Sequence, residues 1–484
     1  MHPGYGFLAE NPELPRACAE AGLIFIGPTP DVIERLGSKQ QAREIAAAAG
    51  IPIVPGYDGD DQSYARLADE ARKLGLPVLL KASAGGGGKG MRIVRADDEL
   101  DSAIKAAKRE AAAAFGDHTL LIERYIERPR HVEIQVLGDA HGGYIHLGER
   151  ECSIQRRHQK IIEEAPSPAV DDDLRATMSD AAISLARAVS YTGAATVEFI
   201  LDQDGRFYFL EVNTRLQVEH PVTELITGID IVREQLRIAD EQRLDTKAPE
   251  LRGHAIECRL YAEDPECDFL PQSGELKDWF VPEQAGLRVE AALRAGESIP
   301  PYYDPMLAKL VCVGDTRSEA VARMRRCLAH LAATGVATNQ VFLRRILDLD
   351  EFAAGQLHTH LIDDHRDQLF DIAPADDALH TAAIAALICD GASDEPSILP
   401  NLRLGFSNNP LPMTVRIFDF ESRELAISYR TESDARTRFV IDEREVIVDR
   451  YRLRGPWLDL EISGLHQRYR VSRNGACYFV SSPD

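Results

Sequence analysis

The sequence predicts a mixed α/β and α+β chain that closes in a helix-plus-antiparallel-β region, and three observations carry that prediction. Ala-rich helical stretches alternate with short apolar strands over the first three quarters of the chain. Four consecutive glycines, Gly85 to Gly88, stand between two strand-like segments. Beyond residue 368 the pattern changes to short alternating runs separated by turn residues. At about 150 residues per domain, the 484 residues divide into four parts: an incomplete N-terminal βα module (1–36), a small α+β unit with a glycine-rich lid (37–126), the largest core (127–368), and a helix plus β-meander or barrel (369–484).

In order along the chain, Pro12 to Ala21 reads as a helix, Leu23 to Ile26 as a short apolar strand, and the residues up to 36 as a second helix, a βα rhythm without partners. Ser38 to Ala49 is helical and ends at Gly50, after which Ile51-Pro52-Ile53-Val54-Pro55 must be extended. The second part alternates a helix (Tyr64 to Leu74), strands at Val78 to Lys81 and Met91 to Val94 flanking the glycines, another helix, and a strand at Leu120 to Glu123. The third offers strands at His131 to Gly138, Gly143 to Gly148, Ala195 to Leu201 and Arg206 to Asn213, with helices at Asp172 to Ala188 and Thr316 to Ala333. The last part has a helix at Asp376 to Leu387, a Ser/Pro/Asp linker at Gly391 to Pro400, and strands from Met413 onward.

Composition excludes several classes. With 55 Lys+Arg against 78 Asp+Glu the formal charge is −23, which argues against nucleic acid as a partner. No apolar run approaches the roughly 20 residues that cross a bilayer, so no membrane is expected. The eight cysteines are scattered, with no CxxC pair to suggest a zinc site or a disulfide framework, which fits a reducing, cytoplasmic compartment. The chain opens on His2-Pro3-Gly4-Tyr5-Gly6-Phe7, turn chemistry that normally lies between elements, so a targeting segment upstream would escape notice.

Chemistry concentrates in three segments. In Lys81 to Gly90 the four glycines let backbone N–H groups share one concavity and cradle phosphate oxygens. A strand follows rather than a helix, so this is a hairpin that could cover a nucleotide, with Lys81 and Lys39 as phosphate partners; a plain surface hairpin is the competing reading. In Glu211 to His220 an extended backbone puts Glu211, Asn213, Arg215, Gln217 and Glu219 on one face. Glu211 and Asn213, with Glu198 one hairpin back, suit Mg²⁺, and beyond them lie a guanidinium, an amide and a carboxylate, so the face reads as metal, anion and base against the alternative of a solvated strand face. Gln155 to Lys160 is a basic cluster, either a local anion site or a salt-bridged surface, and Glu123 to Ile126 has the hinge position and mixed polarity of an adenine slot.

These stretches, together with His2 to Asn11, Arg130 to Glu133 and Glu163-Glu164-Ala165-Pro166, resemble biotin carboxylase, the ATP-grasp component of biotin-dependent carboxylases, over residues 2 to about 368. The resemblance implies an ATP-grasp fold and an ATP-dependent ligase in which ATP and bicarbonate give carboxyphosphate, whose CO₂ then carboxylates N1 of biotin. It implies that Lys39, Lys81, Gly87, Gly88, Glu123, His131 and His158 hold ATP, that Glu198, Glu211 and Asn213 bind Mg²⁺ or Mn²⁺, and that Lys160, Arg215, Gln217 and Val218 hold bicarbonate. Glu219 becomes the base, and Arg288, which no spacing argument finds, the group that stabilises the biotin enolate.

Two departures shape the expectation. The family opens with a complete βαβ module before His2-Pro3-Gly4, and residues after about 370 resemble the region of acyl-CoA carboxylase alpha subunits that docks the carboxyltransferase, without the Ala-Met-Lys-Met carrier motif. The biotin carrier domain is therefore expected on another chain or a missing segment, the carboxyltransferase beta subunit as a partner, and the assembly as a homo- or hetero-oligomer. Competing readings are an assembly fragment without catalysis and the carboxylase part of a pyruvate or urea carboxylase. Tyr57 to Ser63 and Gly355 to Thr359 resemble methylcrotonyl-type enzymes, whereas Pro400-Asn401-Leu402 and Asn408-Asn409-Pro410 resemble propionyl- and acetyl-type ones.

Overall fold

A computed structural model describes residues 1–82, 91–157, 159–245, 247–370, 376–391, 412–420, 423–432 and 436–481. Helices α1 (Glu13–Glu20), α2 (Pro30–Gly37) and α3 (Lys39–Ala48) open the chain. The Ser38 side chain accepts from the Gln41 N–H and so starts α3, as a short hydroxyl does at an N-cap. The strand expected at Leu23 to Ile26 does not form. Among the described residues, the backbone there meets only Met1, through the terminal ammonium to Ile24 O (2.5 Å) and Ile26 N to Met1 O (2.9 Å), two bonds short of a ladder. Leu23 and Ile24 are left exposed.

A four-stranded antiparallel sheet follows, built from β1 (Gly56–Tyr57), β2 (Val78–Ala82), β3 (Arg92–Val94) and β4 (Leu120–Arg124) in the order β1-β4-β2-β3. Helices α4 (Tyr64–Leu74) and α5 (Leu100–Phe115) cover it, burying Leu67, Leu80, Ile104 and Ile122. Gly116 ends α5 at φ +73°, a left-handed turn that glycine adopts without strain. Glycine positions Gly87 and Gly88 lie outside the described residues.

The central element is an eight-stranded antiparallel sheet. Its strands are β5 (Arg130–Gly138), β6 (Tyr144–Arg156), β7 (Gln159–Ala165), β8 (Gly193–Leu201), β9 (Phe207–Asn213), β10 (His254–Tyr261), β11 (Leu287–Ala291) and β12 (Met306–Gly314). They run in the order β11-β12-β10-β7-β6-β5-β8-β9. Strand β6 extends far past the Gly143 to Gly148 segment expected from the sequence. The charges at Glu149, Arg150 and Glu151 mask it, yet all three are buried because partners wait across the sheet: Arg150 donates to Glu133 (2.5 Å), Gln135 (2.8 Å), Thr223 (3.0 Å) and Thr196 (3.0 Å). Helix α6 (Asp172–Ala188) packs against β6 and β5, and α7 (His220–Thr227) against β10 and β6.

The last part is helix α8 (Asp376–Gly391) and a seven-stranded meander from Thr414–Phe420 to Cys477–Ser481, each strand paired with the next. Ile384, Leu387 and Ile388 of α8 bury against Ile427, Phe439, Ile441 and Leu460. The Pro400 to Leu402 and Asn408 to Pro410 signals lie outside the described residues. Among the described residues no helix is long and apolar enough to cross a membrane.

Candidate active site

One lysine organises the site. Lys160, at the start of β7, donates its ammonium to Glu133 (2.5 Å), Glu219 (2.7 Å), Glu198 (2.8 Å) and Gln217 (3.3 Å). A buried cation surrounded by three carboxylates stays charged: desolvation works against it, but Glu133, Glu198 and Glu219 lift its proton affinity well above that of a free lysine. Of the basic cluster Gln155 to Lys160, only Lys160 turns inward. Arg156 bonds Glu263 (3.0 Å) with its guanidinium over the Phe269 ring, Arg157 bonds Asp268 (2.5 Å), and His158 lies outside the described residues.

Glu198 receives four donors: Lys160, Asn213 Nδ2 (2.8 Å), Gln217 Nε2 (3.3 Å), and His131 Nε2 (2.9 Å) on its other oxygen. Burial alone would push its carboxyl up, but Lys160 and then His131 hold it well below the usual range. Glu211 sits directly opposite Glu198 in the β8–β9 register. Among the described residues it has no hydrogen bond or ion pair, and burial followed by repulsion from Glu198 raises its proton affinity. Two facing carboxylates, one without a cation, beside the amide oxygen of Asn213, form a donor set of hard oxygens that fits Mg²⁺ or Mn²⁺. Arg215 donates to that same Asn213 oxygen (3.2 Å) and pairs with Glu10 (3.0 Å), so the N-terminal segment anchors the site.

The stretch from Glu211 to Glu219 is extended only to Asn213. It bends at Arg215, turns at Val218-Glu219 and enters α7 at His220. Pro221 in the first turn presets the helical φ, and His220 Nδ1 bonds Gln217 O (2.7 Å), which shapes the turn. The alternate side chains nevertheless converge, because the turn points Gln217 and Glu219 back at Lys160. Glu219 is buried, and burial would favour its protonated form. Lys160, then Arg259 and Arg150, outweigh that and hold it ionised far below the ordinary carboxylate range.

Other expected residues stand apart from this cluster. Lys81 pairs with Glu123 in the four-stranded sheet, and Arg43 of α3, unforeseen from the sequence, takes the other oxygen of Glu123. Arg43 is one helical turn past Lys39, the only sequence signal for it. Lys39 itself is exposed and acts on Glu211 only through its charge. Beside β4 a cavity of about 460 Å³ is flanked by Arg124, Tyr125 and Ile126, with the Tyr125 hydroxyl 3.0 Å from His360 Nε2. Arg288, on the edge strand β11, is held by Glu224 (2.6 Å) and by Glu290. Glu290 also pairs with Lys309, which donates to the Val218 carbonyl (3.0 Å), so a chain of contacts links Arg288 to the Gln217–Glu219 turn. A second cavity, of about 500 Å³, is lined by Tyr5, Glu290, Tyr303 and Lys309. Sequence reasoning missed Glu133, Arg150, Arg259 and Lys309, since a charged residue inside a strand looks like any solvated one until its partner strand is known.

Known proteins share this arrangement. Residues 1–33 match the biotin carboxylase N-terminal domain, 38–247 the ATP-binding domain of the carbamoyl-phosphate synthase L chain, and 257–364 the biotin carboxylase C-terminal domain. Biotin carboxylase 1 of Bacillus subtilis is 49% identical over 366 residues, covering 75% of this chain and 81% of that protein. The alpha subunit of mitochondrial methylcrotonoyl-CoA carboxylase from Dictyostelium discoideum is 48% identical over 408 residues, covering 83% of this chain, and the chain spans 58% of that subunit's length. Among solved structures, the biotin carboxylase domain of Hydrogenobacter thermophilus 2-oxoglutarate carboxylase, in complex with MgADP, ADP and bicarbonate, superposes with a TM-score of 0.72 at 46% identity, covering 77% of this chain and 83% of that one. The ATP-grasp architecture expected from the motifs is therefore the one observed. With three such domains matched in order, the chain belongs to the biotin carboxylase family of ATP-dependent ligases.

Proposed function

We propose that this chain carboxylates biotin on a carrier domain, using ATP and bicarbonate, as part of a biotin-dependent carboxylase. The observation that carries the reading is Lys160, whose single ammonium ties the carboxylate Glu198 of the metal set to the buried, ionised Glu219. Such a cation holds a small oxyanion beside a base that cannot take up a proton from solvent near neutral pH.

In this scheme Glu219 takes the proton of bicarbonate while Lys160, Arg215, Gln217 and the backbone of Val218 hold its oxygens. The freed oxygen bonds the γ-phosphorus of ATP as the bond to ADP breaks, giving carboxyphosphate. Its C–O bond then breaks to CO₂ and phosphate, the phosphate takes the N1 proton of biotin, and N1 bonds CO₂. Glu198, Glu211 and Asn213 would hold the divalent ion, which when bound neutralises charge on the β- and γ-phosphates. Lys81, Glu123 and His131, with His158, Gly87, Gly88 and Lys39, would hold ATP, its base in the cavity beside Tyr125. Arg288, kept near the second cavity by Glu290, would stabilise the enolate oxygen of biotin.

We divide the chain as the sequence suggested, with 369–484 as the part that meets the carboxyltransferase. The carrier biotin, the acyl-CoA served and the oligomeric partners belong to the assembled enzyme, and the relatives span methylcrotonoyl-CoA, pyruvate and 2-oxoglutarate carboxylases. Purified protein with Mg·ATP should release phosphate only when bicarbonate is present, faster with free biotin; absence of bicarbonate-dependent release would refute the proposal. Pull-down of an acyl-CoA carboxyltransferase, rather than a pyruvate-type one, tests the finer assignment.

A further inference from the structure

Glu219 is gripped from two sides, and only one side is explained by the scheme above. Its Oε1 takes the Lys160 proton; its Oε2 takes Nη2 of Arg259, at 3.0 Å. Arg259 stands on β10, nearly buried, and Asn339 pins its strand by donating to Arg259 O (3.0 Å) while accepting from Tyr261 N (2.9 Å). The same Nη2 lies 2.5 Å from Glu163 of β7. Glu163 in turn faces Glu257 across the β7–β10 register, both are fully buried, and the carboxyl oxygens of Glu257 have no hydrogen-bond partner among the described residues. Three carboxyls thus surround one guanidinium. Near neutral pH they cannot all be ionised in a site closed to water.

We propose that Arg259 is a positioning residue for the proton acceptor Glu219, and that Glu163, competing for the same guanidinium, sets how firmly Arg259 holds it. This rests on the function proposed for Glu219. A guanidinium suits the task because one nitrogen can bridge two carboxylates while the group stays charged. The charges facing Glu219 are Lys160 and Glu163 of β7, Arg259 and Glu257 of β10, Arg150 and Cys152 of β6, and Glu133 of β5. Lys160 and Arg150 are each committed to Glu133, which leaves Arg259 as the cation whose balance depends on a titrating neighbour. Burial, against the pull of Arg259, pushes Glu163 up to about 7, so that neighbour changes charge in the working range.

The test compares wild type, Arg259→Met, Arg259→Lys and Arg259→Met/Glu163→Gln by bicarbonate-dependent ATP cleavage between about pH 5.5 and 9. Loss of the guanidinium should raise the acid limb of kcat/KM for bicarbonate by about one to three pH units, with the deficit shrinking as pH rises and the KM for ATP nearly unchanged. Arg259→Lys should fall between Arg259→Met and wild type. Adding Glu163→Gln to Arg259→Met should move the limb part of the way back, since it removes the carboxylate left unpaired beside Glu219. A loss of equal size at every pH, or a double variant no different from Arg259→Met, overturns the proposal. If Arg259→Met does not fold, an Arg259→Lys profile matching wild type overturns it just as well. A wild type without bicarbonate-dependent cleavage would instead sink the functional reading. The proposal is then judged by infrared difference spectra against Glu219→Gln, which must show the Glu219 carboxylate of wild type converting to a protonated carboxyl in Arg259→Met.

Discussion

The eight-stranded sheet and the C-terminal meander bury opposite kinds of side chain. The sheet holds Glu133, Arg150, Glu163, Glu257 and Arg259 inside it, each at 8% exposure or less. The meander and α8 enclose Ile384, Leu387, Ile427, Phe439, Ile441 and Leu460, and, Thr437 and His380 apart, keep their charges outside, as with the exposed pair of Arg438 and Glu445. An apolar core needs only shape to be stable. A buried ion needs a partner and returns little net stability for it, so a sheet that keeps several is organised around electrostatics rather than strength. The contrast separates the part that performs chemistry from the part that offers a platform, and substitutions should behave accordingly.

Glu219→Gln should show the largest effect. The shape is kept and the proton acceptor lost, so bicarbonate-dependent turnover should fall about 10²–10⁴-fold with nucleotide affinity, read by ADP titration, nearly unchanged. Equal loss of both would mean that the site had collapsed. Next comes Arg150→Leu, which leaves Glu133 buried with one of its two cations gone. Denaturant unfolding should register about 3–5 kcal/mol of destabilisation. A small change would show that Lys160 alone satisfies Glu133, and the electrostatic sheet would be less interdependent than its contacts imply.

How much of this was legible beforehand follows the same division. The meander, α6 and β8–β9 announce themselves by period, because one face is apolar and the other wet. Strands β6 and β10 do not: Glu149-Arg150-Glu151 and Glu257-Cys258-Arg259 read as surface until the strands beside them supply counter-ions, which is information from distant sequence. At the site, the residue types at Glu211, Asn213, Gln217 and Glu219 pointed to a metal and a base, although the extended backbone inferred for them stops at Asn213. Arg288 and Lys309 carried no local signal, since both reach the Gln217–Glu219 turn only through Glu290 and the fold of β11 against β12.

His220 ties stability to pH on the charged side of the comparison. Burial, followed by the charge of Lys309, pulls its imidazole down to about 4 from 6.5, so the folded state holds it neutral where the unfolded chain would bind a proton. Stability from this group is therefore complete above about pH 6.5, is lost as pH falls, and the loss is finished below about pH 4. At about 1.4 kcal/mol per unit, the penalty is at most about 3 kcal/mol. His220→Asn should flatten the slope of unfolding free energy across that window; an unchanged slope would assign it to other groups.

The smallest effect is expected where the two regions meet. Arg470 of the meander grips Asp278 with two nitrogens, at 2.6 and 2.8 Å, and its guanidinium lies between the rings of Phe280 (4.7 Å) and Trp457 (5.3 Å), which themselves meet edge to face. A forked, partly sheltered ion pair stacked on aromatics is a stronger contact than an open surface pair, about 1–2 kcal/mol. Arg470→Ala removes both the fork and the stack while touching neither apolar core nor any residue around Lys160. Calorimetry should then resolve two transitions where wild type shows one, the meander melting first, with bicarbonate-dependent turnover unchanged. If turnover fell with the same substitution, the platform would be acting on the chemistry through Asp278, and the separation drawn between the two regions would fail.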